Sequence, residues 1–531
     1  MQNKVPGRTR TGSEKAKSGD AKASFFQCVI PMPVGVEPSK QEEKMKKFLV
    51  VLLSLGLLLA YSMTASAADV KFSGQYYVVG FYESNRALQN TDNAYSRAAF
   101  WTRTRIQTVF QVAEGLSFTT RFDAFEKQWG AVNRSSSTSE DKSNSGKVNS
   151  TGATLQENLE MEYGYVTFAT KIGTFQIGYQ AADEWGTVFA DIPGSRPRAM
   201  FSTAFGNLTM LAIYEKVYES DTVRFQDTTT TTTAASTYNL TSGSATPSRQ
   251  SDSDADRYML AGIYNFTGGN AGLLWRYDSY AQNRSPVAQA STSATLAANP
   301  YRQQIHSFSP YFKATIGPVY LEGEFVYMTG KTAKYDNDTA DIDKEGYGGY
   351  FNAKYSIGPA YVGAQFGYSS GNDTAPTTSG VSPTVSSDPT KDKSGPVSTT
   401  SWVPTLFFAN HNMTSWVYGS VYGSQVSGGT ASYSSNKQNL ILYNMYAGYN
   451  PTPRWNVEMA VSTMGADKQP TGYQSKNYGT ELDLKVTYKI YDNLSYLVGA
   501  GYLWTGDYFK GANNAAIGDD YVVLNQLTLN F

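Results

Sequence analysis

The sequence is poor in the side chains that most often bind transition metals. Its 531 residues include one cysteine, Cys28, and two histidines, His306 and His411. Cys28 precedes a segment that we expect to be removed on export, so the exported chain would have no thiol. A chain without thiols forms no disulfide, no thiolate metal site, no covalent haem attachment and no lipoprotein anchor. We therefore predict no cofactor and no metal site.

Charge is also scarce, and the two signs are balanced. Charged residues make up 17% of the chain, with 44 basic against 45 acidic side chains. Nucleic-acid binding usually needs a strongly basic face, so nucleic acid is not expected as a partner. Polarity comes instead from uncharged side chains and from 39 tyrosines. Such a composition suits strands with one face in lipid and one in water.

Long apolar runs are absent except near the amino terminus. A short segment with two lysines, Met45-Lys46-Lys47, precedes the apolar run 48–60, and Ala65, Ser66 and Ala67 form a small-residue cleavage site. This pattern predicts a signal peptide over 45–67. A membrane helix would need about 20 apolar residues. Residues 1–44 precede a complete signal peptide, which indicates a dispensable extension with Met45 as the true start.

Alternation of apolar and polar residues recurs through residues 68–531. In 481–490, Glu481, Asp483 and Lys485 share one strand face with later polar residues, whereas Leu482, Leu484 and Val486 share the other. A helix would scatter these charges around its axis, but a strand separates them. The pattern is typical of strands that cross a membrane in a barrel.

Turn residues divide the chain into hairpins with alternately short and long connections. Eight tight turns are expected, at 114–115, 171–173, 206–207, 268–270, 317–318, 358–359, 451–453 and 492–493. Nine longer connections are expected, near 85–94, 130–155, 185–196, 219–254, 283–303, 332–343, 371–435, 467–476 and 507–518. We therefore predict an all-β transmembrane antiparallel β-barrel of 18 strands, with short periplasmic turns and long extracellular loops. If segment 197–205 and its partner are loops, 16 strands remain.

Several segments carry a family resemblance. These are 71–77, 115–124, 178–186 and the stretch from Gly479 to Gly506, together with the last strand, which ends on Phe531. They resemble large porins of Gram-negative outer membranes, in particular those abundant in metal-reducing bacteria. The resemblance implies location in the outer membrane, contact with its lipid and lipopolysaccharide, and passive diffusion of small hydrophilic solutes. It also implies recognition of the last strand by the barrel-assembly machinery and, by analogy, a homotrimer.

A barrel of 16–18 strands encloses an aqueous channel, so its inward charges are candidates for solute selection. Inward alternation groups three basic side chains, and acidic side chains on other strands could face them across a constriction. A charge facing lipid at mid-depth would cost about 2–4 kcal/mol. The candidate pore-lining residues are Arg103, Arg105, Arg121, Asp123, Glu160, Glu162, Glu322, Glu324, Glu481 and Asp483.

Two loops could narrow such a pore. In porins the third extracellular loop usually folds inward, which the resemblance places at about 183–198 here. Its candidate lining residues are Asp183, Glu184, Asp191, Arg196 and Arg198. The alternative is 371–435, because its segment 402–408 is too apolar for a solvated loop. We favour the third loop.

Other functions are less well supported by the residues. His306 and Ser307 fall on opposite strand faces, so they cannot form the hydrogen bond that activates a serine nucleophile. We therefore predict that the chain is not an enzyme. Acidic clusters at 252–256 and 336–343 lack the spacing of a calcium loop. The main alternative to a porin is a closed barrel that acts as a structural or adhesive surface protein.

Overall fold

The computed structural model describes residues 69–85, 88, 90, 96–129, 159–219, 254–281, 301–336, 338–374, 386–406, 408–410 and 437–531. The predicted extension, signal peptide and cleavage site lie outside these residues. Within them, no helix is long and apolar enough to cross a membrane, a finding that concerns helices alone.

The described chain is a closed antiparallel barrel of 18 strands, to which a two-residue strand, β14, adds in parallel to β12. Each barrel strand pairs with its neighbours in sequence, and β1 pairs with β19 from Gln75 opposite Asn530 to Glu83 opposite Val522. The strands are β1 Asp69–Glu83, β2 Arg97–Ala113, β3 Leu116–Gln128, β4 Leu159–Thr170, β5 Gly173–Ala182, β6 Gly194–Phe205, β7 Leu208–Tyr218, β8 Ala255–Phe266, β9 Gly269–Tyr280, β10 Tyr301–Ile316, β11 Val319–Tyr335, β12 Ile342–Ile357, β13 Ala360–Ser369, β14 Lys391–Asp392, β15 Leu440–Tyr449, β16 Trp455–Gly465, β17 Asn477–Tyr491, β18 Leu494–Thr505 and β19 Asp520–Asn530.

The predicted hairpin pattern is confirmed. All eight expected tight turns join consecutive strands at one end of the barrel, and the nine longer connections lie at the other end. Segment 197–205 lies within β6, which pairs with β5 and β7, so the number of strands is 18 rather than 16. Two expected loops, 185–196 and 332–343, are shorter than predicted because β6, β11 and β12 extend into them.

Side chains alternate between an exposed outer face and a largely buried inner face. On β17, Leu482 and Leu484 are 37% and 48% exposed, whereas Glu481 and Asp483 are 0% and 1% exposed. Aromatic side chains lie on the outer face near both ends, where Phe100 stacks on Trp129 and Trp455 on Tyr488. The outer face is thus apolar with aromatic ends, as lipid contact requires.

The main hydrophobic cluster lies inside the barrel. It joins inward side chains of the wall, such as Trp101, Leu442 and Val522, to the loop residues Phe189 and Trp402. A barrel of this size cannot fill its interior with wall side chains alone. Segments of the long connections therefore fold inward and complete the cluster.

Candidate functional site

The third loop, residues 183–193, crosses the lumen. It leaves the wall between β5 and β6, and the Ile192 amide donates to the Asp183 carbonyl across its base at 2.9 Å. The Trp185 indole donates to the Ser309 carbonyl on β10 at 2.9 Å. Thr187 donates through both its amide and its hydroxyl to Glu324 on β11, each at 2.8 Å. The loop thus reaches strands that lie five and six places around the barrel from β5.

The tip of the third loop is anchored by Phe189, which is completely buried. Its ring stacks on Tyr350 of β12 at 6.0 Å and meets Trp402 edge-on at 5.6 Å. A phenylalanine buried in this way contributes several kcal/mol to docking of the segment that carries it. The tip is therefore a fixed part of the interior.

A second segment, residues 386–410, also folds into the lumen, and we call it the long-loop segment. Trp402, 2% exposed, lies over Gly367 of β13. The Leu406 amide donates to Asp483 at 2.9 Å, and the Phe408 amide donates to Glu481 at 3.1 Å. Within the apolar run that the sequence marked as unsuitable for a surface loop, Trp402, Leu406 and Phe408 are buried inside the barrel, whereas Val403 is 41% exposed.

The third loop and the long-loop segment bind each other. The Ala190 amide donates to the Ser398 hydroxyl at 2.8 Å, and the Thr399 amide donates to the Asp191 carbonyl at 2.9 Å. Lys437, fully buried, donates to the Thr399 carbonyl at 2.5 Å. The two loops that the sequence offered as alternatives therefore both enter the lumen and form one inserted unit.

Basic side chains line the wall opposite the long-loop segment. Arg105 makes a bidentate contact with Asp123 at 2.8 and 2.7 Å. Arg103 lies 3.7 Å from Asp123, and Arg121 lies 3.4 Å from Glu162. The three arginines expected to group together on β2 and β3 do so. However, Asp123 and Glu162 pair with them along the wall instead of facing them across the lumen.

Charges of alternating sign continue across the next strands. Arg198, Glu215, Arg257 and Asp278 stand directly opposite one another on β6, β7, β8 and β9. Arg257 contacts Glu215 at 2.9 Å and Asp278 at 2.5 Å, and it also binds Asp183. Opposite charges on neighbouring strands stabilise a sheet. Asp183 lies at the base of the third loop, so its contact with Arg257 attaches the loop to this row. Arg196 of β6 also binds Asp183, at 2.9 Å.

The sequence interpretation missed Arg257, Glu215 and Asp278. Each occupies an inward position in an alternating strand, which is the signal that could have identified them. Glu215 and Arg257 are the single inward charges of β7 and β8, and Asp278 shares its face of β9 with Arg276 alone, so no strand shows a long row of charges. Only strand pairing places them in register.

The remaining acidic candidates serve the inserted unit and its surroundings. Glu324, Glu481 and Asp483 accept hydrogen bonds from loop atoms, and Glu322 accepts from Tyr320, Tyr350 and Asn352. Glu160 is exposed and stands opposite Asp123 in the β3–β4 pairing. Glu184 is exposed in the third loop. The predicted opposition of basic and acidic rows is therefore replaced by acids that anchor loops.

The arginines of the wall keep part of their surface in water. Side-chain exposure is 29% for Arg105, 31% for Arg196 and 26% for Arg276, although all three face the interior. The inserted unit thus leaves this wall partly uncovered.

Histidine and acidic clusters show no sign of chemistry in the described residues. His306 stacks on Tyr277 at 4.6 Å and accepts a hydrogen bond from the Trp275 indole at 3.3 Å. His411 lies outside the described residues. Among those that are described, no group of His, Cys, Asp and Glu side chains is arranged to hold a metal ion.

Solved structures similar to this chain share little sequence with it. OccAB1 of Acinetobacter baumannii is 11% identical, with a TM-score of 0.48, over 89% of this chain and 99% of that one. OccK9 (OpdG) of Pseudomonas aeruginosa is 12% identical, with a TM-score of 0.47, over 87% and 99%. OmpT, an outer membrane protein of Vibrio cholerae in trimer form, is 8% identical, with a TM-score of 0.36, over 88% and 100%.

No protein-family model matches the chain, and no curated protein matches it. The similar structures include outer membrane proteins, among them OpdK of Pseudomonas aeruginosa and OmpT of Vibrio cholerae. No residue role, solute or assembly is carried over to this chain from these proteins.

Proposed function

We propose that this chain forms a water-filled channel in the outer membrane, through which small hydrophilic solutes and ions diffuse passively. One observation carries the proposal. A closed 18-stranded barrel keeps three inward arginines, Arg105, Arg196 and Arg276, partly solvated, although two loop segments are folded into its lumen. Barrels with 16 or more strands leave an aqueous interior unless they are filled. The proposed role involves no catalysis and no cofactor.

The proposal includes the surroundings of the barrel. The apolar outer face with aromatic ends would contact lipid and lipopolysaccharide, and strand β19 would be the element that the assembly machinery recognises. A signal peptide over 45–67 would direct export. A homotrimer is compatible with these features as a further proposal, to be tested by the mass of the protein in mild detergent.

One observation favours the closed surface protein. The inserted unit packs against an apolar cluster that includes Trp101 of β2 and Tyr350 of β12. The cluster reaches the arginines at Tyr77, whose ring centroid lies 5.0 Å from the Arg103 guanidinium. If it also covered Arg105, Arg196 and Arg276, no water path would remain. Conductance separates the two functions directly.

The test is single-channel conductance of refolded 68–531 in a planar bilayer under a salt gradient. We expect ohmic steps. Changing Arg103, Arg105 and Arg121 together to Gln should move the reversal potential toward cations, because Asp123 and Glu162 lose their positive partners. The same three changes to Lys keep the charge and should leave the potential near its original value. Folded barrels that never conduct would overturn the channel and favour the closed surface protein.

A further inference from the structure

A recess of about 440 Å³ lies in the interior between β11 and β17, away from the strands β2 to β9 that carry the inward arginines. Val403 and Pro404 of the long-loop segment border it, and Ser356 and Tyr361 line it close to the tight turn at 358–359. Its size is within the range of roughly 300–1,000 Å³ that is usual for small-molecule sites. None of the candidate pore-lining residues lines it.

Two tyrosines of this recess lie with their hydroxyl ends over glycines of the neighbouring strand. Tyr446 of β15 is opposite Gly363 of β13, and Tyr361 of β13 is opposite Gly448 of β15. A Cβ atom placed on either glycine would overlap the ring that covers it. The glycines leave the space that the ring ends occupy. The two rings are inclined to each other by 61°, with centroids 6.2 Å apart, and both line the recess.

The polar groups around the rings are held in place by their own hydrogen bonds. The Tyr361 hydroxyl donates to Glu458 at 2.7 Å, and Lys485 binds the other Glu458 oxygen at 2.5 Å. The Tyr446 hydroxyl donates to Asn352 at 3.0 Å, and Asn352 donates to Glu322 at 3.1 Å. Such a preorganised array loses little entropy when it binds a ligand.

The charges of the recess balance. The Lys354 ammonium lies 4.2 Å from the Tyr361 ring centroid, and Lys485 is the second cation. Glu458 lines the recess, and Glu322 lies directly behind Tyr320 and Asn352. Two cations and two anions give no net attraction for an ion of either sign. The ligand that fits has hydroxyl groups and a flat apolar face rather than a charge.

We infer that the recess binds a neutral polyhydroxylated solute of one or two sugar rings. The C–H face of the ring would lie on Tyr446, and its hydroxyl groups would bond to Gln365, Asn444, Lys485 and Glu458. This inference rests on the proposed function, because solute reaches the recess only through a solvated lumen. The channel would then carry neutral sugars, and the recess would be a binding site for them within the lumen.

The test is saturation-transfer NMR on the folded full-length barrel in detergent, with glucose, maltose and gluconate as probes. We expect transfer to glucose and maltose, and weaker transfer to gluconate. Tyr446→Ala should weaken sugar binding by roughly tenfold, the equivalent of about 1.4 kcal/mol. Tyr443→Ala is the matched control, because Tyr443 is on the same strand and 56% exposed on the outer face.

Should Tyr446→Ala fail to fold, Gln365→Ala provides a second variant, since the side chain of Gln365 is held among the described residues by a single long hydrogen bond, 3.5 Å from the Trp402 indole. Absence of sugar binding by the folded protein overturns the inference, as does sugar binding that survives both variants or a preference for gluconate. A barrel that conducts and binds no sugar overturns the inference alone. A barrel that binds sugar and never conducts overturns the proposed channel alone.

Discussion

At the scale of single residues, the contact between the two inserted segments contains two ionisable side chains removed from water. Burial lowers the pKa of Lys437 from its ordinary 10.5 to about 7. Burial also raises the pKa of Asp191 from 3.8 to about 7, although the Trp185 amide donates to its carboxyl at 2.9 Å. In both cases, loss of hydration disfavours the charged form. Docking of the loops is therefore linked to pH through both groups.

The two linkages have opposite signs. Between pH 7 and 10.5 the undocked Lys437 binds more protons than the docked one, so docking strengthens as the pH rises through this window. Between pH 3.8 and 7 the docked Asp191 binds more protons than the undocked one, so docking weakens as the pH rises. Together they place the weakest docking near pH 7.

We predict that hydrogen exchange at the Ala190 and Thr399 amides, corrected for intrinsic rates, shows least protection near pH 7. Lys437→Met should remove the gain in protection above pH 7, because no ammonium then has to be neutralised. It should leave the trend below pH 7, which belongs to Asp191. An unchanged profile above pH 7 in Lys437→Met would contradict this account of the burial.

At the scale of elements, the third loop is held by a small number of specific contacts. Its base binds Arg196 and Arg257, its middle binds Glu324, and its tip is the buried ring of Phe189. The contacts of the base and middle are polar, so the tip provides most of the apolar stabilisation. Removing the ring is the change that should release the loop.

We predict that Phe189→Ala weakens docking by about 3–5 kcal/mol, the usual cost of removing a buried phenylalanine ring. The loop would then leave the lumen for part of the time, and single-channel current should become larger and noisier. Ile192→Ala in the same loop is the control, because Ile192 is 42% exposed and should leave the current unchanged. A quiet channel of unchanged conductance in Phe189→Ala would show that the third loop does not limit flow.

At the scale of the whole molecule, the barrel depends on a seam between its first and last strands. The Gly74 amide donates to the Phe531 carbonyl at 2.7 Å, and the Phe531 amide donates to the Gly74 carbonyl at 3.0 Å. A Cβ atom at Gly74 would approach the Phe531 ring to 2.6 Å and would also overlap the Arg105 carbonyl. The backbone of Gly74 does not adopt a positive φ, so the position does not need glycine for its conformation. It needs glycine because a side chain would not fit at this close approach of the strands.

We predict that Gly74→Val lowers the yield of closed barrel, because the side chain displaces either the Phe531 ring or the neighbouring strand. Heat-modifiable migration on a gel measures the folded fraction. Gly164→Val on β4 is the matched control, since a Cβ atom there meets nothing within 4 Å. Equal yields for the two variants would mean that the seam tolerates a side chain.

The sequence by itself determined the barrel, because strand alternation and turn chemistry are local properties. A period of two along segment 481–490 separates its charges whatever the rest of the chain does, and a glycine or proline marks a turn through its own backbone preferences. The eight turns were therefore readable in advance, whereas β6 was the strand that the sequence left open. The inward direction of Arg103, Arg105 and Arg121 followed from the same period.

Only the tertiary structure decided which charges meet and where the loops go. Arg257 meets Asp183 through pairing of distant strands and the path of a loop, and no local pattern encodes that contact. Glu481 and Asp483 look like free lumen charges in sequence, yet they accept backbone amides of a segment more than 70 residues away. Such contacts depend on shape and packing in three dimensions. For the same reason, the positions of Tyr361 and Tyr446 over glycines could be recognised only once β13 and β15 were seen side by side.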